Sequence, residues 1–220
     1  MLECTGKTGI ILATVKEMPY SEKLESITDY IKITEGFAPR LVREELGREK
    51  TDELLAQWKK DSEPIPKDAS DKDKYEVSYG NFMRNWVSAS NLMEKYQGEV
   101  GHSKFMRAAI SAYKKRYAGS TRTLRIVGGI SSKAAFKSLI TKLAYDLQVF
   151  SPFIVSELNE NRMILKVSPC KILETQAGND FCRKACRNII PAWLEEQFSV
   201  KMAQDRNEDN CSVIFEPFKK

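Results

Sequence analysis

Apolar residues recur along this chain first with a helical period and then, beyond residue 150, with a period of two, and that change sets the expected architecture. After an irregular first twenty residues, Leu24, Ile27 and Ile31 share one side of a helix that Ser21 can cap and Gly36 can end. A second helix is expected from near Pro39. Its apolar positions are Leu41, Val42, Leu46, Leu54, Leu55 and Trp58, with Gly47 as a break or a tolerated weak point. The run 61–74, DSEPIPKDASDKDK, has the composition of an exposed linker. Phe82, Trp86, Ala89, Met93 and Tyr96 then recur at spacings of four, three, four and three, which predicts one buried helical stripe. Past the turn QGEVG, Ser103 to Tyr117 repeats the pattern with Phe105, Met106, Ala109, Ile110 and Tyr113. Thr123 to Val127 reads as a short β-prone piece running into Gly128-Gly129. A further helix follows, with Ala135, Phe136, Leu139, Ile140, Leu143 and Leu147 on its apolar side.

From Ser151 the runs FIVSEL and RMILKV, separated by Asn159-Glu160-Asn161, predict a hairpin. A helix from about Asn179 carries CRKACRNII, and Pro191 either restarts it as PAWLEEQF or kinks it. SVKMA and CSVIFEP, joined by the polar run 205–210, predict a second hairpin. Helices first, then hairpin, helix, hairpin: this order predicts an α+β fold with an antiparallel sheet rather than a doubly wound parallel one. The expected division is an N-terminal helical segment with its linker, 1–75, and an α+β small-molecule-binding domain, 76–220, or one domain overall. LVREELGREKTDELLAQWKK and LMEKYQGEVGHSKFMRAAISAYKK are weakly alike, a coincidence that amphipathic helices produce easily and far short of a solenoid.

Composition narrows the class. Hydrophobic residues at 42% and charged residues at 30% are globular values that exclude a disordered or collagenous chain. No apolar run approaches the roughly 20 residues of a membrane span, and the N-terminus has no leader pattern, so a soluble, cytoplasmic protein without a membrane partner is expected. Five cysteines, odd in number and crowded toward the C-terminus, predict reduced thiols. A single histidine excludes an HExxH protease and any His-rich metal centre within one chain.

Charge is unevenly placed. No acidic residue lies between Glu99 and Asp146, and ten basic ones do, so that stretch carries +10 of a chain whose net charge is +5. A positive face over 104–142 is expected, able to attract an acidic partner, an anionic ligand or nucleic acid. Its aromatics, Phe105, Tyr113 and Tyr117, sit mostly at core spacing, and no nucleic-acid-binding signature accompanies them, which makes nucleic acid the lesser partner.

The candidate chemistry centres on thiols. Cys182 and Cys186 are four apart on one helix and project from the same face. Cys170 closely follows RMILKV, and Cys211 shares its parity with Val213 and Phe215 on the expected core face. Converging at a hairpin-helix-hairpin unit, Cys170, Cys182, Cys186 and Cys211 would suit zinc or an iron–sulfur cluster, one of them could be a low-pKa nucleophile, or all could simply pack. Cys4 stands apart in the irregular terminus. Arg183 and Arg187 each follow a thiol and, with Lys184, could lower a thiol pKa or hold a substrate carboxylate, unless they form an exposed basic face.

Weaker signals surround them. Gly6-Lys7-Thr8 lacks the preceding strand and glycine of a phosphate loop. RIVGGISS could offer an anion the amides at Ser131 or Ser132, but reads first as an ordinary helix cap. His102 reads as an exposed residue at a helix opening. Glu157, Glu160, Glu195 and Glu196 lie near the C-terminal unit without a spacing that singles out an acid–base pair.

The order LVREELGREKTDELLAQW, MILKVSPC, CRKAC, Trp193 and RNEDNCSVIFEPF resembles the L-2-amino-thiazoline-4-carboxylic acid hydrolase-like family, most clearly over 153–217. The C-terminal half is also similar in layout to ligand-binding domains of the vinyl-reductase type. The resemblance implies an α+β fold, a small-molecule pocket between the sheet and the cysteine-bearing helix, and hydrolytic opening of a cyclic amidine-like substrate. By position, Cys170, Cys182 and Cys211 match the places where such sequences keep cysteine. This chain departs in carrying Cys186 one turn on, and NEDNC where a Gly-Asp turn usually precedes the last cysteine. The resulting expectation is a small-molecule-handling protein with Cys182, Cys186 and Cys211 as catalytic candidates and Arg183 and Arg187 as anion-binding ones. The competing expectation is a non-catalytic module that uses the same thiols to hold metal, bind a ligand or sense redox state.

Overall fold

The computed structural model describes the backbone of residues 15–128, 132–207 and 210–217, and the side chains in those ranges except 115–128, 132–135 and 197. Cys4, Gly6-Lys7-Thr8 and Ser131 therefore lie outside the described residues, as do the side chain of Ser132 and those of most of the basic stretch. Helices α1 (Tyr20–Leu46), α2 (Arg48–Asp61), α3 (Asp71–Gly128) and α4 (Ser132–Leu147) precede strands β1 (Ile154–Leu158) and β2 (Met163–Val167). Then come a short 3-10 turn, Lys171–Glu174, and the helix α5 (Gly178–Phe181). A π-helical segment, Cys182–Ile189, continues it into α6 (Ile190–Phe198), and β3 (Val200–Asn207) and β4 (Asn210–Pro217) close the chain. The fold is α+β, with both expected hairpins present in one antiparallel sheet of order β1-β2-β4-β3. No helix among the described residues is long and apolar enough to cross a membrane.

Several expected boundaries move. Helix α1 runs through Gly36 and Pro39, because its buried face of Thr34, Phe37, Ala38 and Val42 packs along α3. That tertiary packing outweighs one missing backbone donor. The helix starts after Pro19, whose carbonyl accepts from Lys23 N–H at 3.0 Å, rather than at a Ser21 cap. The break falls at Gly47, where φ is 88°, a backbone state that side chains disfavour. The QGEVG turn survives only as a kink at Gly98 within α3, and Thr123 to Val127 is the end of that helix rather than a strand. There β propensity, a weak prior, gives way to the helix already running. Tyr96 leaves the buried stripe and is exposed beneath the Lys50 ammonium.

The sheet and the helices share one core. Phe37 meets Phe105 at 5.4 Å and Tyr30 meets Phe82 at 5.9 Å between α1 and α3. The sheet contributes Met163, Leu165, Val167, Val213 and Phe215, all buried. Tyr75 and Tyr79 donate from α3 to the carbonyls of Val149 and Phe150 at 2.7 and 2.9 Å, which fixes the end of α4 and holds Phe150 against the sheet side.

Gly178 sets the start of the cysteine-bearing helix. A Cβ built there would lie 1.9 Å from the Ile172 carbonyl oxygen, so the 3-10 turn and α5 approach as closely as only glycine permits. Gly178→Ala is expected to lower stability by roughly 1–3 kcal/mol through forced displacement of this backbone, measured by denaturant unfolding. A neutral result would mean that the turn relaxes freely.

Candidate functional site

The site is organised around a helical register fault. Pro191, at the start of α6, has no N–H to give, and the residue before it, Ile190, donates five residues back to Ala185. In that register Pro191 would have served the Cys186 carbonyl. Gln204 on β3 does so instead, its Nε2 donating to Cys186 O at 2.9 Å. Asn188 Nδ2 likewise donates to Arg183 O at 2.8 Å. The widened turn is thus completed by side chains, which supply donors to carbonyls that the register leaves without a backbone partner.

The N-terminal half of this segment is anchored twice. Phe181, immediately before Cys182, is buried 5.0 Å from Trp86 and 5.7 Å from Phe82, ring centre to ring centre. Lys184 is completely buried, its Nζ 2.5 Å from Glu94 Oε2 and donating to Asn91 Oδ1 at 2.5 Å, so the segment is pinned to α3 by a charged pair.

On the other side of the segment lies a cavity of about 70 Å³ between the π-helical turn, the 3-10 turn and the sheet. Cys170, Cys182, Cys186 and Cys211 all line it, together with Arg206 and Gln204 and an apolar wall that includes Leu147, Phe150 and Ile190. Register explains the convergence: Cys211 on β4 pairs with Val167 on β2 and with Arg206 on β3. Met202, Gln204 and Arg206, alternate residues of β3, turn to the cavity together. Leu147, Phe150 and Ile190 also bound a second cavity of about 90 Å³, walled by Tyr30, Phe82, Trp86, Phe181 and Trp193. The two share that wall, and each is smaller than the ~150 Å³ apolar cavities that take up a benzene-sized molecule.

The four thiols differ in charge state. The Cys182 thiol is pulled down to about 6, first by the hydrogen bond that Cys186 donates to it and then by Arg206 and Arg187, against the opposing effect of burial. Arg206 Nη1 lies 3.9 Å from Cys182 Sγ, while its Nη2 donates to Asn179 Oδ1 at 3.0 Å. Cys186, donor to a thiolate and itself buried, is pushed well up, and burial raises Cys170 and carries Cys211 to about 11. One thiolate therefore stands among three protonated thiols at neutral pH.

The sequence candidates are only partly brought together. Cys182, Cys186, Cys211 and Cys170 share the cavity, yet among the described residues no three His, Cys, Asp or Glu side chains are grouped to hold a metal ion. The zinc or iron–sulfur expectation thus finds no ligand set among the described residues: Cys182 and Cys186 share the π-helical wall, while Cys170 and Cys211 come from the 3-10 side and from β4. Arg183 points away, 3.5 Å from both Glu94 and Asp180, and Arg187 is exposed and does not line the cavity. The guanidinium in place is Arg206, which sequence reasoning missed. Arg206 was expected in the polar connection 205–210, whereas β3 continues through it to Asn207, and its only signal was the alternation of Met202, Gln204 and Arg206. His102, Glu157, Glu160, Glu195 and Glu196 line neither cavity.

No family model matches this chain, and no curated protein is significantly similar to it. One solved structure aligns over 84% of this chain and 94% of its own, a mutant of an Fe(II) unliganded H-NOX protein from K. algicida. Its identity of 12% and TM-score of 0.35 are too low to carry any argument about fold or function.

Proposed function

We propose that this protein handles a small electrophilic molecule, with Cys182 as the nucleophile. The observation that carries the reading is a thiolate held between Cys186 and Arg206 at the wall of an apolar cavity. Arg206 supplies a fixed positive charge for an anionic substituent, the role first assigned to Arg183 or Arg187, and the adjoining aromatic cavity accepts an apolar one. Three protonated thiols around the nucleophile keep it the single charged sulfur in the site.

The resemblance to the L-2-amino-thiazoline-4-carboxylic acid hydrolase-like family supports a cyclic carbon–nitrogen or carbon–sulfur substrate. In that reaction Cys182 Sγ attacks the electrophilic carbon. A C–S bond forms, a ring bond breaks with its electron pair, and the departing atom takes a proton from water. A water molecule then adds to the same carbon, loses a proton to solvent and expels the thiolate, so that water is consumed and the ring is opened. A second reading, stoichiometric binding without turnover, is favoured by the lining itself. Among the described residues the cysteine cavity presents neither carboxylate nor imidazole to activate that water.

The test compares iodoacetate with iodoacetamide on the reduced protein, locating the label by mass spectrometry, and follows ring opening of a 2-amino-thiazoline-4-carboxylate. Cys182 is expected to be labelled first. The carboxylate reagent should gain relative to the amide, and Arg206→Gln should remove that gain. Labelling spread evenly over the cysteines would refute the reading. Ring opening abolished by Cys182→Ser supports turnover, and labelling without ring opening supports the binding reading.

A further inference from the structure

We infer that Cys182 and Cys186 form a reversible disulfide driven by a hydroperoxide, with Cys182 as the thiol oxidised first and Cys186 as the resolving one. The inference rests on the reading of Cys182 as a nucleophile and adds the regulation of that same site.

Geometry makes the pairing specific. In an ordinary α-helix, residues four apart are stacked one turn above each other but offset around the axis. The segment Cys182–Ile189 is π-helical, with Ile190 N–H reaching back five residues, so each turn holds more than four residues and positions 182 and 186 come closer to eclipsed. The thiols are already hydrogen-bonded, Cys186 to Cys182. A disulfide needs Cα atoms about 4.4–6.8 Å apart and Cβ atoms about 3.5–4.5 Å apart, and a local adjustment of this turn has to bring the pair to that geometry. The turn is already out of α register and its carbonyls are held by Gln204 and Asn188, so unwinding it breaks no regular helical ladder. Cys170 and Cys211 line other walls of the cavity, on the 3-10 side and on β4.

The chemistry balances in two steps. The Cys182 thiolate attacks the terminal oxygen of the hydroperoxide, forming S–O as O–O breaks. Sulfur is oxidised by two electrons, and the departing hydroxide or alkoxide takes a proton from solvent. Cys186 then attacks the sulfenic sulfur. S–S forms, S–O breaks, and the hydroxyl leaves as water with the Cys186 proton. The guanidinium of Arg206 beside Cys182 Sγ favours the anion needed in the first step. The product removes the nucleophile from the cavity, so oxidation switches the proposed activity off and a thiol reductant restores it.

The experiment treats the reduced full-length protein with one equivalent of hydrogen peroxide, blocks remaining thiols and maps the cysteines by mass spectrometry. In parallel, untreated protein is alkylated with iodoacetamide. The expected result is loss of two hydrogens with Cys182 joined to Cys186, reversed by dithiothreitol. Cys186→Ser should instead accumulate a dimedone-trapped sulfenic acid at Cys182, and Cys182→Ser should leave Cys186 reduced. A bond from Cys182 to Cys4, Cys170 or Cys211, or direct over-oxidation of Cys182 in the natural chain, overturns the inference. Ready alkylation of Cys182 without the disulfide overturns it while leaving the nucleophile reading standing. Failure of both reactions removes both.

Discussion

Replacing Cys186 with alanine is expected to cut the reaction of Cys182 with a neutral electrophile about two- to threefold at pH 7. The groups that set Cys182 are the Cys186 thiol, Arg206 and Arg187, which favour the anion, while burial opposes it. Cys170 and Cys211, the remaining titratable neighbours in the cavity, stay protonated through neutral pH. Removing the donor on Cys186 returns Cys182 toward the ordinary thiol range near 8.5, where about a few per cent is thiolate at pH 7. The loss is partly offset, because a more basic thiolate is intrinsically more nucleophilic, with a Brønsted slope of about 0.4–0.5. Above pH 9 the variant should therefore match or exceed the natural protein. Cys186→Ser retains a hydroxyl donor and should keep most of the reactivity. Equal rates for Cys186→Ala and the natural chain at pH 7 would show that the thiol–thiol hydrogen bond has no part in the site.

Glu94→Ala is expected to be the most destabilising single change near the site, by about 3 kcal/mol. Lys184 is wholly buried and its charge is met by Glu94 and Asn91, so removing Glu94 leaves a buried ammonium with one neutral partner. Lys184→Met, which removes the charge and keeps the volume, should cost less. The pH dependence has a definite sign. Lys184 first, and Arg183 after it, hold the Glu94 carboxyl below the usual glutamate range. Its contribution is thus complete above the unfolded-state value near 4.3 and is lost as pH falls through the lower folded-state value. The stability gap between Glu94→Ala and the natural chain should accordingly narrow in acid. Urea unfolding at pH 7 and pH 3 measures both; a gap that persists unchanged at low pH would place the effect in packing rather than in charge.

How much of this was legible in the sequence depends on which force decided each element. The hairpins FIVSEL/RMILKV and SVKMA/CSVIFEP were readable because alternation and turn residues act locally, and the register between them explains why Cys211 faces the cavity with Val213. The stripe Phe82, Trp86, Ala89, Met93 was equally plain. The continuity of α1 through Gly36 and Pro39 was not, since it is decided by α3, distant in sequence. The thiol pair was found by spacing, but its electrostatics depend on Arg206, brought in by strand pairing from the far side of α6. Arg183 and Arg187 are adjacent to the thiols in sequence and turn outward in space, as helix geometry dictates for neighbours of a residue facing inward. Pro191 carried more information than a helix start. Its missing donor is met at the Cys186 carbonyl by Gln204, and the widened turn that brings the two thiols together precedes it.

The central claim is that Cys182 is a thiolate at neutral pH, and the pH dependence of its alkylation tests it most directly. With iodoacetamide in excess and the label at Cys182 quantified by mass spectrometry, the rate should rise through a midpoint at about 6 and level off by neutral pH. A midpoint at the ordinary thiol value of about 8.5, with Cys182 no faster than the other cysteines, would contradict the account.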